Sequence, residues 1–181
     1  MLEPRPNRPT GKVQVTYLAD SPEMIPQVAA WQYAEWSNYP GARTLEQREE
    51  RLQEHLQRGA IPTTFVAWEE AKPVGIASLV ASDMEALPEW IPWLASVFVL
   101  PDHRCHGIGS TLVERVASEA VALGYPRLYL FTPDRMNFYR RLGWQDSHER
   151  FYRETTVTVM TRDLIVKPPA ARSDSVALAP S

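Results

Sequence analysis

A short loop with two glycines, placed between an apolar segment and an amphipathic segment, restricts the fold of this chain more than any other feature. The run Trp93–Leu100 is dominated by apolar residues, which is typical of a strand buried on both faces. The segment Ser110–Leu123 repeats apolar residues at helical spacing. Because the loop Arg104–Gly109 joins them, the sequence predicts a strand–loop–helix unit with the glycines at the helix N-terminus.

This loop has the chemistry of a phosphate site. The first N–H groups of a helix have no intrahelical partner, and the helix dipole makes that end positive. Gly107 and Gly109 would let a pyrophosphate approach the backbone closely, while Arg104 adds a charge and Ser110 a hydroxyl. These residues alone leave an alternative open, in which the glycines only relieve backbone strain in a turn.

Two common nucleotide motifs do not match the loop. The dinucleotide fingerprint requires a third glycine, but that position holds Leu112. The P-loop requires a lysine after its second glycine, whereas Gly109 is followed by Ser110. Neither nucleotide motif is therefore present, and the residues of the loop leave both a phosphate site and a purely structural turn open.

The other segments alternate between strand and helix patterns, which predicts a mixed sheet flanked by helices. We expect one domain over residues 11–166, with flexible segments at 1–10 and 167–181. The predicted elements are a strand at Lys12–Leu18, a helix from Ser21 to Trp36, a helix with a capping box at Thr44 that runs to Arg58, strands at Thr63–Trp68, Val74–Ala81 and Arg127–Phe131, a short helix at Met136–Leu142, a β return at Gly143, and a last strand at Phe151–Met160.

Composition and charge argue against several classes of partner and site. The net charge of −3 provides no basic field for nucleic acid or an anionic membrane surface. No run approaches ~20 apolar residues and the N-terminus lacks a signal-peptide pattern, so we expect a cytoplasmic protein. Cys105 is the single cysteine, which excludes an intrachain disulfide and a multi-cysteine metal site.

Two motifs together resemble one known family. The pattern Arg104-x-x-Gly107-x-Gly109 after an apolar strand is similar to the acetyl-CoA signature of the GNAT superfamily of N-acetyltransferases. Downstream, Phe138-Tyr139 followed by Gly143-Trp144 resembles a second element of the same superfamily. Both occur in the family's order and span roughly residues 93–145.

The resemblance implies a fold and an activity. The fold would be α/β, with a mixed, mostly antiparallel central sheet flanked by helices. The activity would be transfer of an acetyl group from acetyl-CoA, as co-substrate and without a metal, to a primary amine of a small molecule or peptide. The amine would attack directly in a ternary complex, and a homodimer is left open.

The resemblance also implies site residues. Tyr139 would protonate the departing thiolate, which suits a phenol whose ordinary pKa is about 10. The alternative is an aromatic side chain packed in the core. The cofactor-binding residues would be Val97, Phe98 and Val99, through backbone contacts to pantetheine, and Arg104, Cys105, His106, Gly107, Ile108, Gly109 and Ser110, around the pyrophosphate.

The general base is not evident, because the strand Trp93–Leu100 contains no acid or histidine. Asp83, Glu85 and Glu89, with Trp90, precede that strand and could receive a cationic amine, since carboxylates and aromatic faces both attract ammonium. The alternative is a solvated acidic loop. A distant carboxylate or a water would then take the proton.

Other polar and aromatic residues have less specific interpretations. We expect His55 and His148 to be exposed, and Trp36 either to pack in the core or to shape an acceptor groove. The alternative function for the whole chain is a non-catalytic acyl-CoA sensor or interaction module with the same fold. A nucleotide-binding enzyme is the third hypothesis.

Overall fold

The computed structural model describes residues 12–165, so the predicted flexible segments 1–10 and 167–181 lie outside the described residues. Within it, strands alternate with helices in the predicted manner. The strands are β1 Gln14–Tyr17, β2 Thr63–Glu69, β3 Lys72–Val80, β4 Trp93–Val99, β5 Arg127–Thr132, β6 Gln145–Tyr152 and β7 Thr155–Asp163, and the helices are α1 Ile25–Trp36, α2 Leu45–Glu54, α3 Ile108–Ala122 and α4 Met136–Arg140.

The strands form a single sheet in the order β1-β2-β3-β4-β5-β7-β6. The pair β4–β5 is parallel, and the other neighbouring pairs are antiparallel. This arrangement confirms the expected α/β fold with a mixed, mostly antiparallel central sheet flanked by helices.

Both faces of the sheet are covered, because successive side chains of a strand point to opposite sides. On one face Phe65 packs in a core with apolar residues of α3, including Leu112 and Val116. On the other face Val66 packs with residues of α1 and α2, such as Val28 and Leu52. Each such fully buried side chain contributes roughly 1.5–3 kcal/mol from its removal from water.

The prediction of one strand across Phe151–Met160 is wrong. The chain reverses at Arg153 and Glu154, which connect β6 to β7 with φ angles of 50° and 61°. Glycine or asparagine normally occupies such a two-residue turn, because L-residues disfavour positive φ. The segment therefore carries no recognisable turn signal.

The second helix is shorter than expected. Its N-terminal capping box is confirmed: the backbone N–H of Gln47 donates to Thr44 Oγ1 at 3.3 Å, and the Thr44 N–H donates to Gln47 Oε1 at 3.0 Å. The helix ends at Glu54 rather than Arg58, since His55 leaves the helix with its side chain hydrogen-bonded to Thr64.

A wedge between β4 and β5 interrupts the middle of the sheet. These two strands pair only through Trp93 and Tyr129, within the described residues, and then diverge. The edge of β4 is further bent where its register with β3 shifts, next to Ser96, which has a φ of 53°. In contrast, β3 stays close to β4: a Cβ on Gly75 would lie 2.7 Å from the Phe98 carbonyl oxygen.

Candidate functional site

The wedge forms a cavity of about 540 Å³. Its floor comes from the diverging strands, and its walls come from the end of α1, the loop to α2 and the β6–β7 turn. This places it where the sheet opens, next to the start of α4. Its lining residues are Glu35, Trp36, Tyr39, Gly41, Ala42, Arg43, Arg48, Asp83, Leu94, Ser96, Val97, Leu130, Phe131, Thr132, Pro133, Asp134, Arg135, Tyr139, Tyr152, Arg153, Thr155 and Val157.

Tyr139 lies on α4 and reaches this cavity with 9% of its surface exposed. Its ring is held edge-on by Phe138 at 4.9 Å and Trp144 at 5.9 Å between centroids. Among residues 12–165 no side chain or backbone group hydrogen-bonds its hydroxyl. Burial raises the pKa of Tyr139 above its ordinary value, so the hydroxyl keeps its proton at neutral pH.

The glycine loop has the geometry of an anion site. Gly107 caps α3 with a φ of 85°, and its carbonyl accepts from the Thr111 N–H at 3.0 Å. The N–H groups of Ile108, Gly109 and Ser110 precede that first helical bond and have no helical acceptor. A Cβ on Gly107 would meet no atom within 4 Å, whereas a Cβ on Gly109 would lie 3.4 Å from the Phe138 ring. The space beside Gly107 is therefore open, and binding of a pyrophosphate by this loop stays a prediction.

The Arg104 side chain points away from the loop. Its Nε donates to the Val99 carbonyl at 2.8 Å, and one terminal nitrogen lies 3.3 Å from Glu35. The guanidinium also lies 5.8 Å from the centroid of the Phe98 ring. Arg104 thus connects the end of β4 to α1 through these two contacts. The neighbouring Cys105 and His106 are exposed.

At the end of β4 the backbone N–H and C=O groups of successive residues face opposite sides of the strand. Leu100 N–H donates to Val74 at 2.9 Å, so the opposed pair Gly75–Val99 is a non-hydrogen-bonded pair. The amide and carbonyl of Val99 therefore face away from β3, whereas those of Phe98 face it. Val97 lines the cavity. The Val99 carbonyl already accepts from Arg104, which leaves the Val99 amide open. The pantetheine contacts of Val97, Phe98 and Val99 stay a prediction.

The structure does not bring the predicted acceptor residues together. Asp83 lines the cavity. Glu85 and Glu89 are exposed and do not belong to its lining. Trp90 packs on Tyr129, with ring centroids 4.7 Å apart, in an aromatic cluster beside the cavity. A role for this set in acceptor binding stays a prediction, and among its carboxylates Asp83 is the one with access to the cavity.

The Asp83 carboxyl is shifted toward its protonated form. Burial raises its pKa from 3.8 to about 6, although Arg153, Arg51 and Arg43 act in the opposite direction. A carboxyl with such a pKa is mostly ionised at pH 7 and can still accept a proton readily. This makes Asp83 a candidate for the base that the strand before the loop does not supply.

Sequence reasoning missed the four arginines that line the cavity: Arg43, Arg48, Arg135 and Arg153. Arg43 and Arg48 belong to a strongly charged stretch that resembles a solvated helix surface. Arg153 lies in the unrecognised turn. No local signal distinguishes these residues from surface arginines, because the cavity exists only after the sheet has opened.

The prediction that His55 is exposed is wrong, since only 4% of its surface is accessible. Its Nδ1 lies 2.8 Å from Thr64 Oγ1, which in turn lies 2.7 Å from Ser78 Oγ. Its Nε2 is buried without a partner among the described residues. Burial lowers the pKa of His55 to about 4, so the ring is neutral at pH 7. His148, also expected to be exposed, is half-buried against Trp90.

His55 should make stability depend on pH. Its pKa falls from 6.5 to about 4 on folding, so the unfolded chain binds the proton more tightly. Its stabilising contribution is present above pH 6.5 and is lost as pH falls toward 4. We expect His55→Gln to remove a fall of about 3 kcal/mol or less in the free energy of unfolding between pH 7 and pH 4.

Urea unfolding of both proteins at several pH values measures this difference, and the exposed His106 is the matched control position. A pH profile that His55→Gln leaves unchanged would show that the pKa of His55 is the same in the folded and the unfolded chain.

The described residues contain neither a metal-binding cluster nor a membrane-spanning helix. Within residues 12–165 no group of three or more His, Cys, Asp or Glu side chains is arranged to hold a metal ion. In the same range, none of the helices has the length and apolar character needed to cross a bilayer. His103 is instead paired with Glu69 at 2.7 Å.

Comparison with solved structures shows several with the same fold. An aminoglycoside 6'-N-acetyltransferase complexed with coenzyme A has a TM-score of 0.67 at 15% identity, over 86% of this chain and 99% of that one. The protein yncA from Salmonella typhimurium, solved with acetyl-CoA, has a TM-score of 0.67 at 16% identity, over 88% and 98% of the two chains.

A third similar structure belongs to a longer protein. N-acetylglutamate synthase from Neisseria gonorrhoeae, complexed with coenzyme A and N-acetyl-glutamate, has a TM-score of 0.64 at 20% identity, over 85% of this chain and 35% of that one. At these identities the likeness establishes the fold.

Family membership follows from comparison of the sequence with family models. A search of the curated proteins found no match. A family model described as the acetyltransferase (GNAT) family matches residues 27–144, which include β4, the glycine loop, α3 and Tyr139. This match extends over more than half of the chain and agrees with the fold, and the chain therefore belongs to the GNAT acetyltransferase family.

Proposed function

We propose that the protein transfers an acetyl group from acetyl-CoA to a primary amine of a small molecule or peptide. The observation that carries the proposal is the shared cavity of Tyr139 and Asp83, a protonated hydroxyl and an ionisable carboxyl, at the opening between β4 and β5. Three similar structures contain coenzyme A or acetyl-CoA, which supports this carrier. Two of those proteins are an aminoglycoside and an amino-acid acetyltransferase, which supports a small amine acceptor.

Coenzyme A would be held by backbone groups. The free N–H groups of Ile108, Gly109 and Ser110 can donate to a pyrophosphate at the positive end of α3. Val97 and Val99 can offer backbone groups to the pantetheine along the open edge of β4. When bound, acetyl-CoA supplies a thioester as the acetyl donor.

Asp83 and Tyr139 would carry out the proton transfers of the reaction. Asp83 takes a proton from the ammonium, which frees the nitrogen lone pair for attack on the acetyl carbon. The N–C bond forms as the C–S bond breaks, and Tyr139 donates its proton to the sulfur. The nitrogen carries a positive charge after the attack and releases its second proton to solvent, so that the products are an amide and a thiol. Solvent also returns the proton from Asp83 to Tyr139. Cys105 does not line the cavity, so direct attack needs no acyl-enzyme.

The test pairs a binding measurement with an acceptor panel. Acetyl-CoA should raise the melting temperature in a concentration-dependent manner, because it binds the folded state alone. A panel of amines assayed by CoA release should then identify an acceptor that is turned over. Stabilisation by acetyl-CoA without turnover of any amine would favour the non-catalytic acyl-CoA sensor. Stabilisation by nucleotides but not by CoA would contradict both.

A further inference from the structure

The acceptor end of the cavity carries an excess of positive charge. Arg43, Arg48 and Arg153 line the main cavity, and Arg51 lines a smaller cavity of about 50 Å³ together with Arg43 and Arg48. The two cavities adjoin, because Asp83 and two of the arginines line both. This group, which we call the arginine cluster, therefore sets four positive charges against one carboxylate.

No other carboxylate neutralises the arginine cluster. Within residues 12–165 none of its four guanidinium groups lies within 4.0 Å of a carboxylate oxygen. The two remaining acids of the main cavity are already paired: Glu35 lies 3.3 Å from Arg104, and Asp134 lies 3.3 Å from Arg135. The positive charge of the cluster is thus available to a ligand.

The arginines also repel one another. Partial desolvation and neighbouring guanidinium groups lower the pKa values of the exposed Arg43 and the buried Arg48. Arg48 has 9% of its surface exposed, and its Nε donates to the Arg43 carbonyl at 3.2 Å. A buried charge without a counter-ion is unfavourable, and an anion in the cavity would relieve this.

A second, independent observation concerns a residue of the same cavity. His55 lines the smaller cavity, and its buried Nε2 has no hydrogen-bond partner among the described residues. In the tautomer that accepts from the Thr64 hydroxyl at Nδ1, Nε2 carries the proton and can donate it. A buried polar atom of this kind normally finds a partner, so the smaller cavity is built for a polar ligand group or for water.

We propose that the arginine cluster binds an anionic group of the acceptor, so that the acceptor is a primary amine that also carries a carboxylate or a phosphate. This inference rests on the proposed acetyl transfer and specifies its substrate class. Arg43 and Arg48 bind the anion, and Asp83 faces the amine. The acceptor is then not a polyamine.

The charge balance gives selectivity by attraction and by repulsion. Arginine binds carboxylate and phosphate in a bidentate manner, with charge-assisted hydrogen bonds that are stronger than neutral ones. A neutral amine would leave the cluster unpaired, and a polyamine would place more positive charge beside it. Both should therefore be poor acceptors.

The test compares pairs of amines that differ in the anionic group. Glycine is set against glycinamide, alanine against alaninamide, and phosphoethanolamine against ethanolamine. Calorimetric binding to the wild-type protein in the presence of unreactive CoA, and kcat/KM with acetyl-CoA, should both favour the anionic member by about 10- to 100-fold in at least one pair. The pair with the larger ratio identifies carboxylate or phosphate as the source of the anion.

Variants connect this preference to the arginine cluster. Arg43→Gln and Arg48→Gln should each lower the preference by about 10-fold or more while the affinity for acetyl-CoA stays unchanged. Arg43 is exposed and Arg48 buried, so Arg43→Gln provides the answer if Arg48→Gln does not fold. Arg127→Gln is the control, because Arg127 is exposed, paired with Asp163 and outside both cavities.

The two hypotheses fail in different ways. Equal or tighter binding of the neutral amines in the presence of CoA would overturn the anionic-acceptor inference, whether or not acetylation occurs. Preferential binding of an anionic amine that is never acetylated would support the inference and contradict the proposed transfer. A preference that survives both arginine substitutions would also overturn it.

Discussion

Tyr139→Phe is expected to lower kcat by about 100-fold, since a positioned general acid typically contributes factors of that order. The substitution removes the hydroxyl that would protonate the departing sulfur and keeps the ring between Phe138 and Trp144. Because no described residue hydrogen-bonds this hydroxyl, the fold loses no partner with it. The affinity for acetyl-CoA should therefore stay nearly unchanged.

Steady-state kinetics and a thermal-shift titration with acetyl-CoA test this prediction together. Tyr125→Phe is the matched control, because Tyr125 is half-buried in the same core but does not line the cavity. Unchanged turnover would remove Tyr139 from the mechanism. A loss of turnover accompanied by a large fall in melting temperature would assign Tyr139 a structural role.

Local patterns predicted the fold because they are decided within a few residues. The apolar run at Trp93, the capping box at Thr44 and the helical spacing of α3 all have their determinants inside one element. The turn between β6 and β7 was missed because its determinants do not lie within the turn itself. Arg153 and Glu154 adopt positive φ without the glycine or asparagine that usually marks such a turn, because the pairing of the two strands imposes it.

Of the acceptor end of the site only Asp83 was predicted, together with acids that lie outside the cavity, because this end is assembled from separate loops. Asp83 comes from the segment before β4, Arg43 from the segment before α2, and Arg153 from the β6–β7 turn. Each of these residues alone resembles an ordinary surface charge. What makes them a site is the divergence of β4 and β5, which follows from the sheet as a whole and not from any one motif.

In the glycine loop, too, one part of the prediction agrees with the structure and another does not. Its backbone geometry at Gly107 agrees with the sequence hypothesis of an anion site at the helix N-terminus. Arg104, which the sequence assigned to the phosphate, instead holds the Val99 carbonyl and Glu35. The main-chain chemistry of a motif is thus more readable from sequence than the direction of a long, flexible side chain.

Asp83→Asn should move activity and stability in opposite directions. As the proposed base, Asp83 is active when ionised, so wild-type kcat/KM should rise with pH through an apparent pKa near 6. The amide cannot take the proton, and we expect a loss of about 100-fold at pH 7.5 together with the loss of that acidic limb.

The stability effect has the reverse sign. The pKa of Asp83 is raised from 3.8 in the unfolded chain to about 6 in the folded protein, so the folded state binds the proton more tightly. Its contribution to stability is present below pH 3.8 and is lost as pH rises through about 6. Relative to the wild type, Asp83→Asn should therefore gain about 1–3 kcal/mol in unfolding free energy between pH 4 and pH 8.

Parallel pH profiles of kcat/KM and of urea unfolding measure both effects. Glu85→Gln is the matched control, since Glu85 is exposed in the same loop and does not line the cavity. A variant that is less stable at pH 8 and less active would contradict the raised pKa and show that the carboxylate mainly neutralises Arg43 and Arg153. A more stable variant with unchanged activity would agree with the raised pKa of Asp83 and would show that Asp83 is not the base. Only a gain in stability together with a loss of the acidic limb assigns proton transfer to Asp83.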